Sequence, residues 1–216
     1  MGEARPPVHR TLAERAYDQL RDLIISAELA PGQLIDEERM IERLGIGRTP
    51  LREAMRRLRA EGLLDIYPHR GTFVPEVTVR DLRQISEARR VLEGYAAARA
   101  AQSTSDIFRK DLVEAYEELQ TIEDADAERL LDIDARMHEA IYRAMDNRYI
   151  ESTLKQYFTL SQRMWNYVLP RLQVMRPHVD EHLEMLQAVI QQKPGEAEQL
   201  AISHVTNFEK AVLEAL

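Results

Sequence analysis

The 216-residue chain has no cysteine, which removes disulfides and thiolate metal ligands alike and leaves any metal to His, Asp or Glu. No apolar stretch is long enough to span a bilayer, and the opening MGEARPPVHR lacks the apolar run of a secretory signal, so the cytoplasm is the expected compartment and no membrane partner is expected. Positive charge is short as well: 29 Lys and Arg stand against 37 Asp and Glu, a formal net charge of −8. That balance excludes a protein that coats nucleic acid over its whole surface, but it permits one basic element to bind a defined site. There is no repeat of fixed period, no low-complexity segment and, from Val79 onward, no strand signal. What is present is 44% hydrophobic residues, enough for the cores of two modest domains or one large one.

Basic residues gather in one place. The run 40–74 reads as helix, three-residue turn, helix and β-hairpin. Asp36 is the expected cap of the first helix, with Glu37 and Glu38 in its first turn. Met40, Ile41 and Leu44 share a face, and Gly45 ends the helix in the left-handed conformation that glycine tolerates. After the turn Gly45-Ile46-Gly47, Thr49 is expected as N-cap with Pro50 at the first helical position, while Leu51, Met55 and Leu58 face inward. Arg52 stands where a capping box would put Glu or Gln, which leaves a donor-rich side chain at that helix's N-terminal end. This is the end that a recognition helix points into the major groove. Arg48, Arg52, Arg56, Arg57 and Arg59 make the segment basic, as phosphate contact requires; the alternative is a solvated face with ion pairs to Glu53 and Glu61. Residues 63–67 and 72–74 read as strands about the turn Pro68-His69-Arg70-Gly71, which puts Arg70 at the tip.

Residues 11–75 resemble the N-terminal domain of GntR-family transcription regulators. The pattern Leu-Gly, Arg-Thr-Pro, Leu-Arg-Glu-Ala, Leu, Glu-Gly-Leu and a wing Arg-Gly is met almost position for position. The resemblance implies that Arg39, Arg48, Thr49, Arg52, His69, Arg70 and Gly71 contact DNA. It also exposes a departure, since the family often has Ser or Thr before the arginine, whereas Gly47 offers no hydroxyl to a phosphate.

Residues 1–10, with Pro6-Pro7 and no periodicity, read as a disordered arm. Leu12, Ala16, Leu20, Leu23 and Ile24 recur at helical spacing, giving a helix that ends before Pro31-Gly32 and packs behind the helix-turn-helix. A winged DNA-binding domain is thus expected over 11–76, joined through the short Val77-Thr78 linker to an all-helical domain over 79–216, which the resemblance given below implies to be effector-binding. The latter holds about six amphipathic stretches, near 79–102, 105–123, 126–146, 148–168, 171–192 and 195–215, with loops at 103–105, 123–125, 146–147, Pro170 and 193–195. Such lengths suit an antiparallel bundle. The expected fold is mainly α: an N-terminal winged helix-turn-helix with a two-stranded wing plus a C-terminal antiparallel bundle of about six helices. This second part resembles the all-helical FCD effector domain of the FadR-like branch of GntR regulators.

Inside the bundle, Asp134 and His138 lie four apart on one helix and can reach one atom; an exposed ion pair is the alternative for that spacing. His182 and His204 fall on consecutive helices joined at Lys193-Pro194-Gly195, about ten residues back and about nine forward, or roughly 14 Å along each helix. An antiparallel hairpin therefore holds them level, and facing helices of a bundle are a usual place for metal sites. The resemblance agrees: Asp-x-x-x-His with two later histidines matches the metal-binding subset of these effector domains, which implies Asp134, His138, His182 and His204 as ligands. A divalent ion suits that set, zinc placed first, with Ni, Mn and Fe(II) open because ligand type does not choose among them. His178, after Pro177, reads as a surface or capping residue, and Trp165 as core. Arg89 matches the family's Arg-x-x-Leu-Glu and by resemblance points into the cavity, where it can fork onto the carboxylate of an effector. Its alternative is a salt bridge to Glu87 or Glu93.

The expected function is a ligand-responsive transcription regulator, taken as a repressor, whose homodimer binds a pseudo-palindromic operator in double-stranded DNA. A small organic acid held by the metal and Arg89 changes the spacing or mobility of the winged domains. A rival is a metal-dependent hydrolase or lyase using the Asp134 and three-histidine site, which needs an open coordination position and an acid or base that no motif supplies. A third reading makes the ion itself the signal.

Overall fold

A computed structural model describes residues 11–103, 105–121, 127–168 and 176–216. Among these residues the chain forms nine helices and three short strands, in two compact units, Met1–Val77 and Thr78–Leu216. The arm expected over 1–10, the loops expected at 123–125 and Pro170, and Thr104 of the loop expected at 103–105 lie outside the described residues. No helix among the described residues is long and apolar enough to cross a membrane.

The first unit contains α1 (Leu12–Ile25), α2 (Glu37–Leu44) and α3 (Arg48–Ala60). A capping box opens α1: Thr11 Oγ1 accepts from the Glu14 amide at 3.1 Å, and Glu14 Oε2 accepts from the Thr11 amide at 2.7 Å, so two otherwise unpaired donors are satisfied. Ala16, Leu20 and Ile24 are fully buried where α1 packs on α3, whose Leu51, Ala54, Met55 and Leu58 supply the facing stripe. Asp36 caps α2 by accepting from the amides of Glu38 and Arg39, and Gly45 stops it at φ 64°, a left-handed turn without steric cost for glycine. The next helix departs from the expected start. Its N-cap is Gly47, in extended backbone with no side-chain cap, so Arg48 rather than Thr49 opens the helix. Pro50 remains inside the first turn, where its missing N–H has no intrahelical acceptor to lose; a proline there is compatible with a start two residues earlier than its position suggests.

Strands β1 (Leu34–Ile35), β2 (Asp65–Tyr67) and β3 (Gly71–Phe73) form an antiparallel sheet in the order β1-β3-β2. The β2–β3 hairpin is the expected wing, pairing Asp65 with Phe73 and Tyr67 with Gly71. β1 adds a third strand on the far side of β3, with Leu34 opposite Phe73; two residues are too few for an alternating pattern to register in sequence. Gly71 makes this approach possible. Its φ is 106°, and a Cβ there would lie 2.7 Å from Leu34 Cδ1, so a side chain would meet both backbone strain and a clash.

The second unit contains the six expected helices: α4 (Val79–Ala101), α5 (Asp106–Gln120), α6 (Ala127–Ala144), α7 (Arg148–Val168), α8 (Arg176–Ile190) and α9 (Pro194–Ala215). Thr78 caps α4 by accepting from the Asp81 amide at 3.0 Å. The core is apolar where Ile133, Met137 and Ile141 of α6 meet Leu154 of α7, Leu186 of α8 and Ala197 and Ala201 of α9. α4 packs most extensively on α9, closely enough that a Cβ on Gly94 would sit 3.0 Å from Ile202 Cγ1. Arg90 of α4 and Glu209 of α9 form an ion pair at 2.5 Å. Against this apolar background, Arg89, Glu93, His138, His182 and His204 are all buried.

Candidate metal centre and nucleic-acid surface

In the winged unit, Arg39, Arg48, Thr49, Arg52, His69, Arg70 and Gly71 are all exposed. Arg52 Nε donates to Glu37 Oε2 at 2.9 Å, and Arg48 Nη2 donates to Glu38 Oε1 at 3.4 Å. Both acceptors come from the first turn of α2 rather than from α3 itself. Such exposed pairs contribute about 0–1 kcal/mol each, so a phosphate can replace either carboxylate at little loss. Arg57 is used differently. Its guanidinium lies 4.0 Å from the centroid of the Tyr17 ring, and the Tyr17 hydroxyl donates to Glu61 at 2.6 Å. Burial, with the Glu61 carboxylate beside it, pushes Tyr17 up to about 12; this cluster ties α1 to the end of α3. At the wing tip, the Arg70 amide donates to the Tyr67 carbonyl at 3.1 Å, and His69 takes a left-handed φ of 62°, a conformation uncommon outside glycine.

In the helical unit, α6 supplies Asp134 and His138, α8 supplies His182 and α9 supplies His204. One ligand atom from each of these four residues lies within 4.8 Å of the others. His182 Nε2 is 2.8 Å from Asp134 Oδ1 and 3.2 Å from His204 Nε2, while His138 Nε2 is 3.5 Å from the same Asp134 oxygen. The Nε2 atoms of the rings therefore turn inward. Around them stand Phe158, 4.5 Å from the His138 ring between centroids, and Arg89, whose guanidinium lies 5.2 Å from the Phe208 centroid. Arg89 does enter the bundle, but its Nε donates to Glu93 Oε1 at 2.5 Å, the alternative pairing foreseen for it.

Electrostatics sort the protonation states. Burial would raise Asp134, yet His182 and His138 beside it outweigh burial and hold the carboxyl well below its usual range. Burial likewise opposes ionisation of Glu93, and Arg89 with His138 overcomes it, so its pKa also falls. Burial pushes His204 well below the ordinary imidazole range, with His182 and His138 adding to the shift. His138 is lowered by burial too, only partly countered by Glu93 and Asp134. An ionised Asp134 beside His138 and His204 held toward their neutral forms suits a divalent ion, because metal ligands bind in their deprotonated state. One further observation tests the fit: His138 Nε2 is buried and has no hydrogen-bond partner. A buried polar atom in that condition is expensive, and a cation at the convergence point would relieve it. The donor set fits a divalent metal.

Sequence reading did not single out the outer partners. Tyr142, whose hydroxyl lies 3.3 Å from His138 Nδ1, is one helical turn beyond that histidine and was within reach of a spacing argument. Glu181, 3.0 Å from His204 Nδ1, was not, because the contact crosses from α8 to α9. His178 lies in α8 near its start.

Comparison with known proteins gives a consistent picture. Residues 12–74 match the family model described as bacterial regulatory proteins, gntR family, and residues 84–207 match the FCD domain. The chain is 24% identical over 205 residues to the HTH-type transcriptional repressor RspR of Escherichia coli K12, covering 92% of this chain and 88% of that protein. It is 26% identical over 210 residues to the HTH-type transcriptional regulator LutR of Bacillus subtilis 168, covering 87% and 94%. Among solved structures, E. coli McbR/YncC superposes with a TM-score of 0.83 at 22% identity, over 95% of this chain and 98% of that one. That likeness establishes the mainly helical fold with its N-terminal helix-turn-helix and small wing sheet.

Proposed function

Since the chain belongs to the gntR family of bacterial regulatory proteins and carries an FCD domain, it is a DNA-binding transcription regulator and not an enzyme, and we propose that it works as a metal-assisted, ligand-responsive repressor. The hydrolase or lyase reading is set aside, because the family and its named relatives are regulators. In this proposal residues 11–76 are the DNA-binding domain. Arg48, Thr49 and Arg52 enter the major groove with the N-terminal end of α3, while Arg39, His69, Arg70 and Gly71 meet the flanking backbone. A cytoplasmic homodimer presents two such helices to the half-sites of a pseudo-palindromic operator.

Residues 79–216 are the effector-binding domain. Asp134, His138, His182 and His204 hold a divalent ion there, zinc being the first choice over Ni, Mn and Fe(II). When bound, the ion supplies a Lewis-acidic position for the carboxylate of a small organic acid. Arg89 commits its Nε to Glu93, and a guanidinium has further N–H groups with which to meet that carboxylate. The acid controls transcription by binding the DNA-competent and DNA-incompetent arrangements with different affinity. Repression is favoured over activation because RspR is named a repressor.

The observation that carries this reading is the convergence of four donors from three helices, α6, α8 and α9, on one point inside the bundle. Anisotropy titration of a labelled duplex from the gene's own upstream region tests it, with protein that is metal-free, metal-restored, and metal-restored with candidate acids. Release of DNA by an acid only in the metal-restored sample is the expected result. An acid that acts equally on chelated protein removes the metal from effector recognition; a metal that alone changes operator affinity makes the chain a metalloregulator instead.

A further inference from the structure

The inward donors account for one nitrogen of each ring, and the outward nitrogen of His204 is held as well. His204 Nδ1 lies 3.0 Å from Glu181 Oε2, and the other oxygen of that carboxylate accepts from Asn207 Nδ2 at 2.6 Å. Glu181 sits on α8 next to His182, whereas His204 and Asn207 are one turn apart on α9. One carboxylate thus spans the helices whose histidine rings meet at the site. We infer that Glu181 is a positioning residue for His204 as a metal ligand, with Asn207 fixing the carboxylate; the inference rests on the metal reading above.

The chemistry is directional. A carboxylate oxygen accepts the hydrogen bond here, so the proton of a neutral His204 ring sits on Nδ1, and Nε2 turns its lone pair toward His182 Nε2, 3.2 Å away. Remove the acceptor and either tautomer becomes available, only one of which can bind an ion through Nε2. The ring also loses the contact that sets its rotation. His138 has a comparable outer pair, Glu93 Oε2 at 3.5 Å and the Tyr142 hydroxyl at 3.3 Å from its Nδ1. Glu93, however, is 3% exposed and balanced by Arg89, so replacing it would strand a buried guanidinium. The Glu181 side chain, by contrast, is 23% exposed, which makes it the sharper place to test how His204 is held.

The test uses the full chain, stripped of metal, then titrated with Zn²⁺ against a chromophoric chelator and with Co²⁺, whose visible absorption reports ligand number and geometry. Glu181→Ala should weaken Zn²⁺ binding by about 10–100-fold and alter the Co²⁺ spectrum. Asn207→Ala should act in the same direction but less. Glu181→Gln, which keeps an acceptor of the same shape without charge, should fall between wild type and Glu181→Ala. Unchanged affinity and an unchanged Co²⁺ spectrum in Glu181→Ala, with only a lower melting temperature of the metal-free protein, assign Glu181 to helix tethering and overturn the inference. Should Glu181→Ala not fold, wild-type affinity and spectrum in both Glu181→Gln and Asn207→Ala overturn it equally. Wild-type protein that takes up neither ion removes the metal site itself and this inference with it, whereas normal wild-type uptake with unaffected variants removes this inference alone.

Discussion

Arg48 and Arg52 of the winged unit keep more than half their side-chain surface in water, at 56% and 53%, beside Glu38 and Glu37. Arg89 and Glu93 of the helical unit keep 2% and 3%. The chemistry of the two kinds of pair is the same and their settings are opposite. An exposed pair is weak and exchangeable, which suits a surface that must trade carboxylates for phosphates. A buried pair is hard to break singly, because removing one partner leaves an uncompensated charge in the interior. Arg48 and Arg52 are therefore free to exchange partners, whereas Arg89 and Glu93 are fixed inside the bundle beside His138.

The strongest way to break that comparison is to cut the buried pair. Arg89→Ala should lower stability to urea by about 3–5 kcal/mol, and the apolar double replacement Arg89→Met with Glu93→Leu should recover most of it; a single-variant loss under about 1 kcal/mol would mean that the pair is solvated after all. The exposed side should behave in the reverse manner. Arg52→Ala should leave urea stability within about 0.5 kcal/mol of wild type while weakening operator binding by about 1–3 kcal/mol, read from one anisotropy series. A matching loss of stability would show that the residue supports the fold instead. The smallest effect is expected for Glu37→Gln, which removes the competitor for Arg52. Operator affinity should rise by less than about 1 kcal/mol, most visibly at low salt, and a fall in affinity would show that Glu37 orients the arginine for DNA.

Much of the molecule was legible in its sequence because the signals are local. The alternating caps and apolar stripes of α2 and α3 lie within single helices, and so do the boundaries of the bundle helices at Lys193 and Asn147. Even the meeting of His182 with His204 could be counted from the turn between them, since an antiparallel helical hairpin has a fixed rise per residue. The misreadings share a cause. Thr49-Pro50 looks like a cap followed by a first helical residue, but Gly47 already provides extended backbone, so the helix begins at Arg48. β1 is two residues long and is defined only by its partner strand. The pairing of Glu37 and Glu38 with Arg52 and Arg48 was likewise out of reach, because it arises only when the turn folds α2 back on α3. Glu181 belongs to the same class: its role depends on which side of α9 faces α8, and no spacing within either helix encodes that.

The short β1 strand has a mechanical consequence. Leu34 pairs with Phe73 of the wing, and two residues later Asp36 caps α2, whose first turn holds Arg48 and Arg52. The wing and the start of α2 are thus joined through one stretch of backbone. The wing is therefore no free-standing hairpin: main-chain hydrogen bonds from the Val74 amide to the Gln33 carbonyl and from the Gly32 amide to the Val74 carbonyl seat its return strand against the segment that leads into α2.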